Sequence, residues 1–382
     1  MKDSAAPLGF YVHVPFCATR CGYCDFNTYT ATELGPGATP ASYVDSAVAE
    51  IARARQQLSS DGRRVDTVFF GGGTPTMLAP EHLVRILTTI DEMFGLAKDA
   101  EVTTEANPES VDREALEVLR AGGFTRVSFG MQSAREHVLA VLDRTHTPGR
   151  VPVVVRDARG AGFEHISVDL IYGTPGESDD DWKASLDAAL ETTVDHVSAY
   201  SLIVEPGTRL AARIARGELP MPDDDVLADR YEIADAALSQ AGFEWYEVSN
   251  WARSADAWCR HNELYWTGGD WWGVGPGAHS HVDGVRWWNV KHPAAYAQRL
   301  SEGVSPAQDH EQLDPAARRV EDVMLRLRLR EGLPIDDGLN AAAVTSALAE
   351  GLLDEASYDE GRLVLTLRGR LLADAVVRDV LG

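Results

Sequence analysis

Tyr11-Val-His-Val-Pro-Phe-Cys17-Ala-Thr-Arg-Cys21-Gly-Tyr23-Cys24-Asp-Phe26 opens on alternating apolar residues and runs directly into three cysteines spaced C-x3-C-x2-C. The apolar stretch from Phe10 to Val14 reads as a β-strand, which puts the cysteines on the loop after its C-terminal end. Thiolates are soft ligands suited to zinc or iron–sulfur centres, and three on one tight loop can wrap three corners of a cubane. A structural zinc takes four protein ligands, which here would call on His13 or the distant Cys259. A disulfide would leave one thiol of the three over. With four cysteines in 382 residues, the chain carries no disulfide framework and fits a reducing compartment.

Outward from this loop, short β-rich runs alternate with longer amphipathic stretches. Strands are expected at Phe10 to Val14, Asp66 to Phe70, Glu101 to Glu105, Arg126 to Gly130, His165 to Ile171 and Val197 to Leu202. Helices are expected at Tyr43 to Leu58, Pro80 to Phe94, Asp112 to Ala121, Val151 to Ala161, Asp180 to Glu191 and Asp224 to Ala241. Six βα units in series predict an α/β protein built on a parallel sheet, a (β/α)6 partial barrel. In such a barrel functional groups gather on the loops after the strands. The unusual residues fall there: the cysteines, Gly71-Gly72-Gly73-Thr74-Pro75-Thr76, Glu105 with Asn107, Gly130-Met-Gln132-Ser, and Asp169 before Tyr-Gly-Thr-Pro-Gly-Glu.

The rhythm changes near residue 245. We expect a core domain over 1–245, an aromatic-rich connecting segment over 246–309, and a small C-terminal domain over 310–382. The last reads as a helix from Asp314 to Arg330, a turn, a short helix, a β-hairpin around Asp-Glu-Gly-Arg-Leu-Val-Leu-Thr-Leu and a final helix, a winged-helix-like α+β module. A formal charge of -24 repels phosphate backbones and anionic bilayers, which argues against nucleic acid and membrane partners. No run approaches the ~20 apolar residues of a membrane span. With no secretory leader either, the expected location is the cytoplasm.

Together the cysteine loop and the GGGTP run one strand later resemble the radical SAM superfamily. The resemblance implies a [4Fe–4S] cluster on Cys17, Cys21 and Cys24 with S-adenosylmethionine (SAM) at the remaining iron. It also implies SAM contacts from Tyr11, Tyr23, Gly72, Gly73, Thr74, Glu105, Gln132, Arg144 and Asp169.

Over nearly its whole length the chain is similar to the branch that holds oxygen-independent coproporphyrinogen III oxidases and HemW-like haem chaperones. The oxidases carry a fourth cysteine two residues after the third, where this chain has Phe26, and a longer N-terminal extension. Only sixteen residues precede Cys17. His261-Asn-Glu-Leu-Tyr-Trp266 resembles the HNxxYW segment of the chaperones. Haem binding is therefore expected, with His261 as first axial candidate, Cys259 as a weaker one, and His279 and His281 as further imidazoles. The implied partners are haem and an unidentified haem-acceptor protein, with homodimerisation a family-level expectation. The alternative reading is a radical decarboxylase of coproporphyrinogen III.

Overall fold

The computed structural model describes residues 6–34, 39–59, 62–145, 147 and 149–382. Six parallel strands lie side by side in chain order: β1 (Leu8–Val14), β2 (Val65–Gly72), β3 (Leu96–Ala106), β4 (Arg126–Gln132), β5 (His165–Tyr172) and β6 (His196–Ser201). Between them run α1 (Pro40–Gln57), α2 (Pro80–Phe94), α3 (Arg113–Ala121), α4 (Glu136–Val141), α5 (Arg150–Ala161) and α6 (Asp179–Leu190). After β6 come α7 (Arg209–Ala215) and α8 (Asp224–Gln240).

Local chemistry starts several of these helices where the sequence placed them. The Asp112 carboxylate accepts the Ala115 N–H ahead of α3, and Ser178 forms a capping box with Asp181 ahead of α6. The strands obey a period of two. In β4, Val127 and Phe129 enter the main hydrophobic core, while Arg126, Ser128, Gly130 and Gln132 line the interior.

The segment after residue 245 extends this sheet at both edges. β7 (Glu244–Glu247) and β8 (Asn250–Ala252) add antiparallel strands beside β6. A short helix, α9 (Arg260–Trp266), leads to β9 (Asp270–Val274), which pairs parallel with β1 in register Leu8↔Asp270 and Val12↔Val274. β10 (His279–Val282), β11 (Val285–Asn289) and β12 (Ala307–Gln312) follow antiparallel, with α10 (Pro293–Ser301) between the last two. The buried carboxylate of Glu50 on α1 ties this extension to the barrel. It accepts from the Gly275 N–H at 2.8 Å, the Asn289 amide at 2.7 Å and the Tyr296 hydroxyl at 2.5 Å.

The C-terminal elements are α11 (Pro315–Arg326), β13 (Leu333–Pro334), α12 (Ala341–Ala349), α13 (Glu355–Asp359), β14 (Arg362–Leu363), α14 (Leu367–Leu371) and α15 (Ala373–Leu381). They close their own core around Val323, Leu327, Val344, Leu353, Val376 and Val380. The expected hairpin near residue 363 does not form. β14 pairs instead with β13, because Leu333 and Leu363, opposite each other in register, are both buried in that core. Arg370 docks the unit on the barrel, bonded to Asp235 at 2.9 Å with its guanidinium over the Trp245 ring. Among the described residues no helix is long and apolar enough to cross a membrane.

Candidate functional site

Pro15 turns the chain out of β1, and backbone bonds then close the cysteine loop. The Tyr29 N–H donates to the Pro15 carbonyl at 2.7 Å, and the Cys17 N–H to the Tyr29 carbonyl at 3.0 Å. Asn27 ties the loop to the sheet extension, donating to the Pro276 carbonyl at 2.9 Å and the Lys291 carbonyl at 2.8 Å. On the other side the Gly22 N–H donates to the Leu142 carbonyl and the Leu210 N–H to the Gly22 carbonyl. The loop is thus fixed from both flanks, with Cys17, Cys21 and Cys24 all partly exposed.

These thiols face a cavity of about 700 Å³ at the C-terminal ends of the barrel strands. The Gly71 to Pro75 run passes directly beneath them. The Gly73 N–H donates to the Val14 carbonyl at 2.8 Å and the Thr74 N–H to the Phe16 carbonyl at 2.7 Å. A Cβ on Gly73 would stand 2.5 Å from the Phe16 carbonyl oxygen, so no larger residue fits there without moving the cysteine loop. Gly72 adopts φ 109° against the His13 ring, a conformation open only to glycine.

Of the expected SAM residues, Tyr23, Gly72, Gly73, Thr74, Glu105, Gln132, Arg144 and Asp169 all line this cavity. Arg144 spans the gap between cysteines and sheet, with Nη1 3.5 Å from Cys21 Sγ and Nη2 donating to the Gly130 carbonyl at 2.8 Å. Gln132 sits at φ 62°, where the register slips between β4 and β5, a strained position for a side-chain-bearing residue. Burial pushes the Glu105 carboxyl up to about 8, helped by the charge of Asp169 and opposed by the Gly72 N–H at 3.2 Å. Burial also raises Asp169, against the Ser198 and Ser128 hydroxyls that bond it. Tyr11 lies outside the wall, its hydroxyl on His13 Nδ1 at 3.0 Å and its ring stacked on Phe69. His13 holds the Asn27 carbonyl through its other nitrogen, so it has no free donor to complete a zinc site.

His261, the first axial candidate, does not line this cavity. Its ring is buried under the barrel, with Nδ1 on the Thr67 hydroxyl at 2.8 Å and Nε2 on the Tyr265 hydroxyl at 2.7 Å. Burial holds it neutral, its pKa lowered to about 3, and both nitrogens are engaged. Cys259 is equally buried, its thiol pointing to Glu101 at 3.7 Å and pushed up by burial. Glu101 also accepts the Arg260 and His261 N–H groups, capping α9. His281 bonds the Gly269 carbonyl through Nδ1. His279 is exposed and stacks on Trp288 at 5.7 Å.

Sequence reasoning missed the polar barrel interior: Thr103, Arg126, Ser128, Ser167, His196 and Ser198 also line the cavity. The available signal was Arg-Val-Ser-Phe-Gly-Met-Gln, in which Arg126, Ser128 and Gln132 fall on the same alternate positions, with Gly130 between them, of a strand that is otherwise apolar.

Comparison with known proteins agrees with this arrangement. The family model of the radical SAM superfamily matches residues 11–189. "Heme chaperone HemW" of Mycobacterium tuberculosis is 56% identical over 379 residues, covering 98% of this chain and 95% of that one. "Heme chaperone HemW" of Synechocystis is 35% identical over 331 residues, covering 86% and 79%. Among solved structures, the coproporphyrinogen III oxidase HemN of Escherichia coli superposes with a TM-score of 0.80 at 24% identity, covering 98% and 90%, which shows a shared fold. The chain belongs to the HemW family of the radical SAM superfamily.

Proposed function

We propose that this chain is a haem chaperone that binds haem and passes it to an acceptor protein. The observation that carries the reading is its 56% identity, over almost the whole chain, to a protein named as a heme chaperone. Phe26 supports it: the residue lies at the cavity wall, 63% exposed, where the oxidases carry a further cysteine.

Superfamily membership brings a [4Fe–4S] cluster and SAM, which when bound supply one-electron chemistry. The residues fit them. Cys17, Cys21 and Cys24 offer three thiolates on a loop braced from both sides, and neither His13 nor Cys259 stands ready as a fourth protein ligand. Gly72, Gly73 and Thr74 give SAM a backbone surface close to the cysteines. Glu105, Asp169 and Gln132, polar groups on the same cavity wall, would hold its ammonium and ribose hydroxyl groups. Arg144 holds the cysteine loop at its set height above β4. Tyr11, bonded to His13 at 3.0 Å behind the wall, would support the glycine run through the His13 ring packed on Gly72.

For haem, His279 replaces His261 as the axial ligand. It is exposed, burial lowers its pKa so that it is neutral near pH 7, and Trp288 lies beside it. The test is a haem titration of anaerobically reconstituted protein read at the Soret band, run beside coproporphyrinogen III turnover. Saturable one-to-one binding without turnover is expected, lost in His279→Ala and kept in His261→Ala. Turnover without haem binding would return the chain to the oxidases, and binding lost only in His261→Ala would restore the first ligand assignment.

A further inference from the structure

Arg126 opens β4 six residues before Gln132, which at roughly 3.3 Å per residue puts it about 20 Å along the strand from the cysteine end of the barrel. It is 1% exposed, yet it forms no ion pair among the described residues. Nη1 donates to the Ala257 carbonyl at 2.8 Å, and Nη2 has no partner. The acids that act on it through space are committed elsewhere: Glu101 caps α9, Asp195 bonds the His165 ring and the Ile166 N–H, and Asp169 accepts from the Ser128 hydroxyl. A buried charge left in this condition is costly, and proteins ordinarily pair it.

The side chain lines the cavity, and the residue opposite it in register on β3 is Thr103. Thr103 is fully buried, lines the same space, and its hydroxyl also lacks a partner. A fixed guanidinium edge beside a free hydroxyl is the donor set that a carboxylate accepts. We infer that Arg126 and Thr103 form a subsite at the barrel floor for a single carboxylate, borne by a small acid or by the arm of a larger ligand. One guanidinium at the floor matches the single charge of a carboxylate and leaves the second charge of a phosphate dianion unmatched. The subsite is independent of the haem reading and of the SAM contacts.

The probe is sodium propionate, compared with sodium chloride and sodium phosphate at equal ionic strength on the full-length protein without SAM. Thermal unfolding and saturation-transfer NMR are the readouts. Propionate is expected to raise the wild-type Tm above its value in chloride and to show transfer from the protein. Arg126→Gln is expected to weaken propionate binding about tenfold or more, since hydrogen bonds to a charged group are lost. In chloride the same variant should be at least as stable as wild type, because an unpaired buried charge has been removed. A purely structural arginine would instead cost stability in every salt. Thr103→Val, which keeps the guanidinium, should fold and show a smaller propionate shift, so the inference stays testable if the Arg126 variant does not fold. Equal wild-type Tm values in propionate and chloride would overturn it, as would tighter binding of phosphate or an undiminished propionate shift in both variants.

Discussion

Glu50 offers a prediction whose size follows from the structure. Burial pushes its carboxyl up to about 7, despite three hydrogen bonds that favour the anion. The folded protein therefore keeps this proton over a range in which the unfolded chain, near 4.5, has released it. The resulting stability is complete below about pH 4.5 and is lost as the pH climbs through about 7, with no further change above. A shift from 4.5 to about 7 is worth about 3 kcal/mol at 1.36 kcal/mol per unit. Glu50→Gln keeps the side-chain size and cannot titrate. Whatever constant penalty it suffers from placing an amide among three donors, its stability relative to wild type should improve by about 3 kcal/mol between pH ~4.5 and pH ~8. Urea unfolding followed by tryptophan fluorescence at both pH values reads this double difference. A gap that stays constant with pH would refute the account, because the carboxyl would then titrate alike in the folded and unfolded chains.

Glu105→Gln tests the cavity electrostatics. In wild type Glu105, raised to about 8, must release a proton to meet a cation, so SAM affinity should rise roughly tenfold per pH unit below about 8 and be flat in the variant, as read by calorimetry. Gly73→Ala sets a Cβ 2.5 Å from the Phe16 carbonyl and should cost about 2 kcal/mol in urea unfolding while lowering the iron content after reconstitution. Arg230→Met leaves Glu177, its partner at 3.0 Å, as a lone buried acid, for an expected loss of about 3–5 kcal/mol; a second change, Glu177→Gln, should restore part of it in the same assay.

The barrel was legible because its signals are local. Period-two strands, capped helices and the cysteine spacing each lie within a few residues, and six βα units in series leave little choice of topology. The sheet extension was not legible for the opposite reason. The Trp-rich run from 245 to 289 mixes strands of three to five residues with loops, and nothing in it records that Asp270 will pair with Leu8. The same limit explains His261. Its neighbours in sequence read as a ligand motif, but its bonding is decided by Thr67, 194 residues away. The cavity mouth could be read from loop composition, whereas the floor depends on Thr103 and Arg126 standing in register on adjacent strands.

The pairing of β9 with β1 bears on the order in which the molecule is made. β1 leaves the ribosome long before β9, and one of its two edges stays open until residues 270–274 have been synthesised. The cysteine loop waits on the same event, since Asn27 is held by the carbonyls of Pro276 and Lys291. A contact spanning some 260 residues is slow to close, and until it closes the three thiols hang from a loop with one flank unsecured. Metal loading therefore belongs after residues 270–291 have been made and packed, and truncation anywhere before β9 should yield a polypeptide that retains all three cysteines yet cannot keep a cluster.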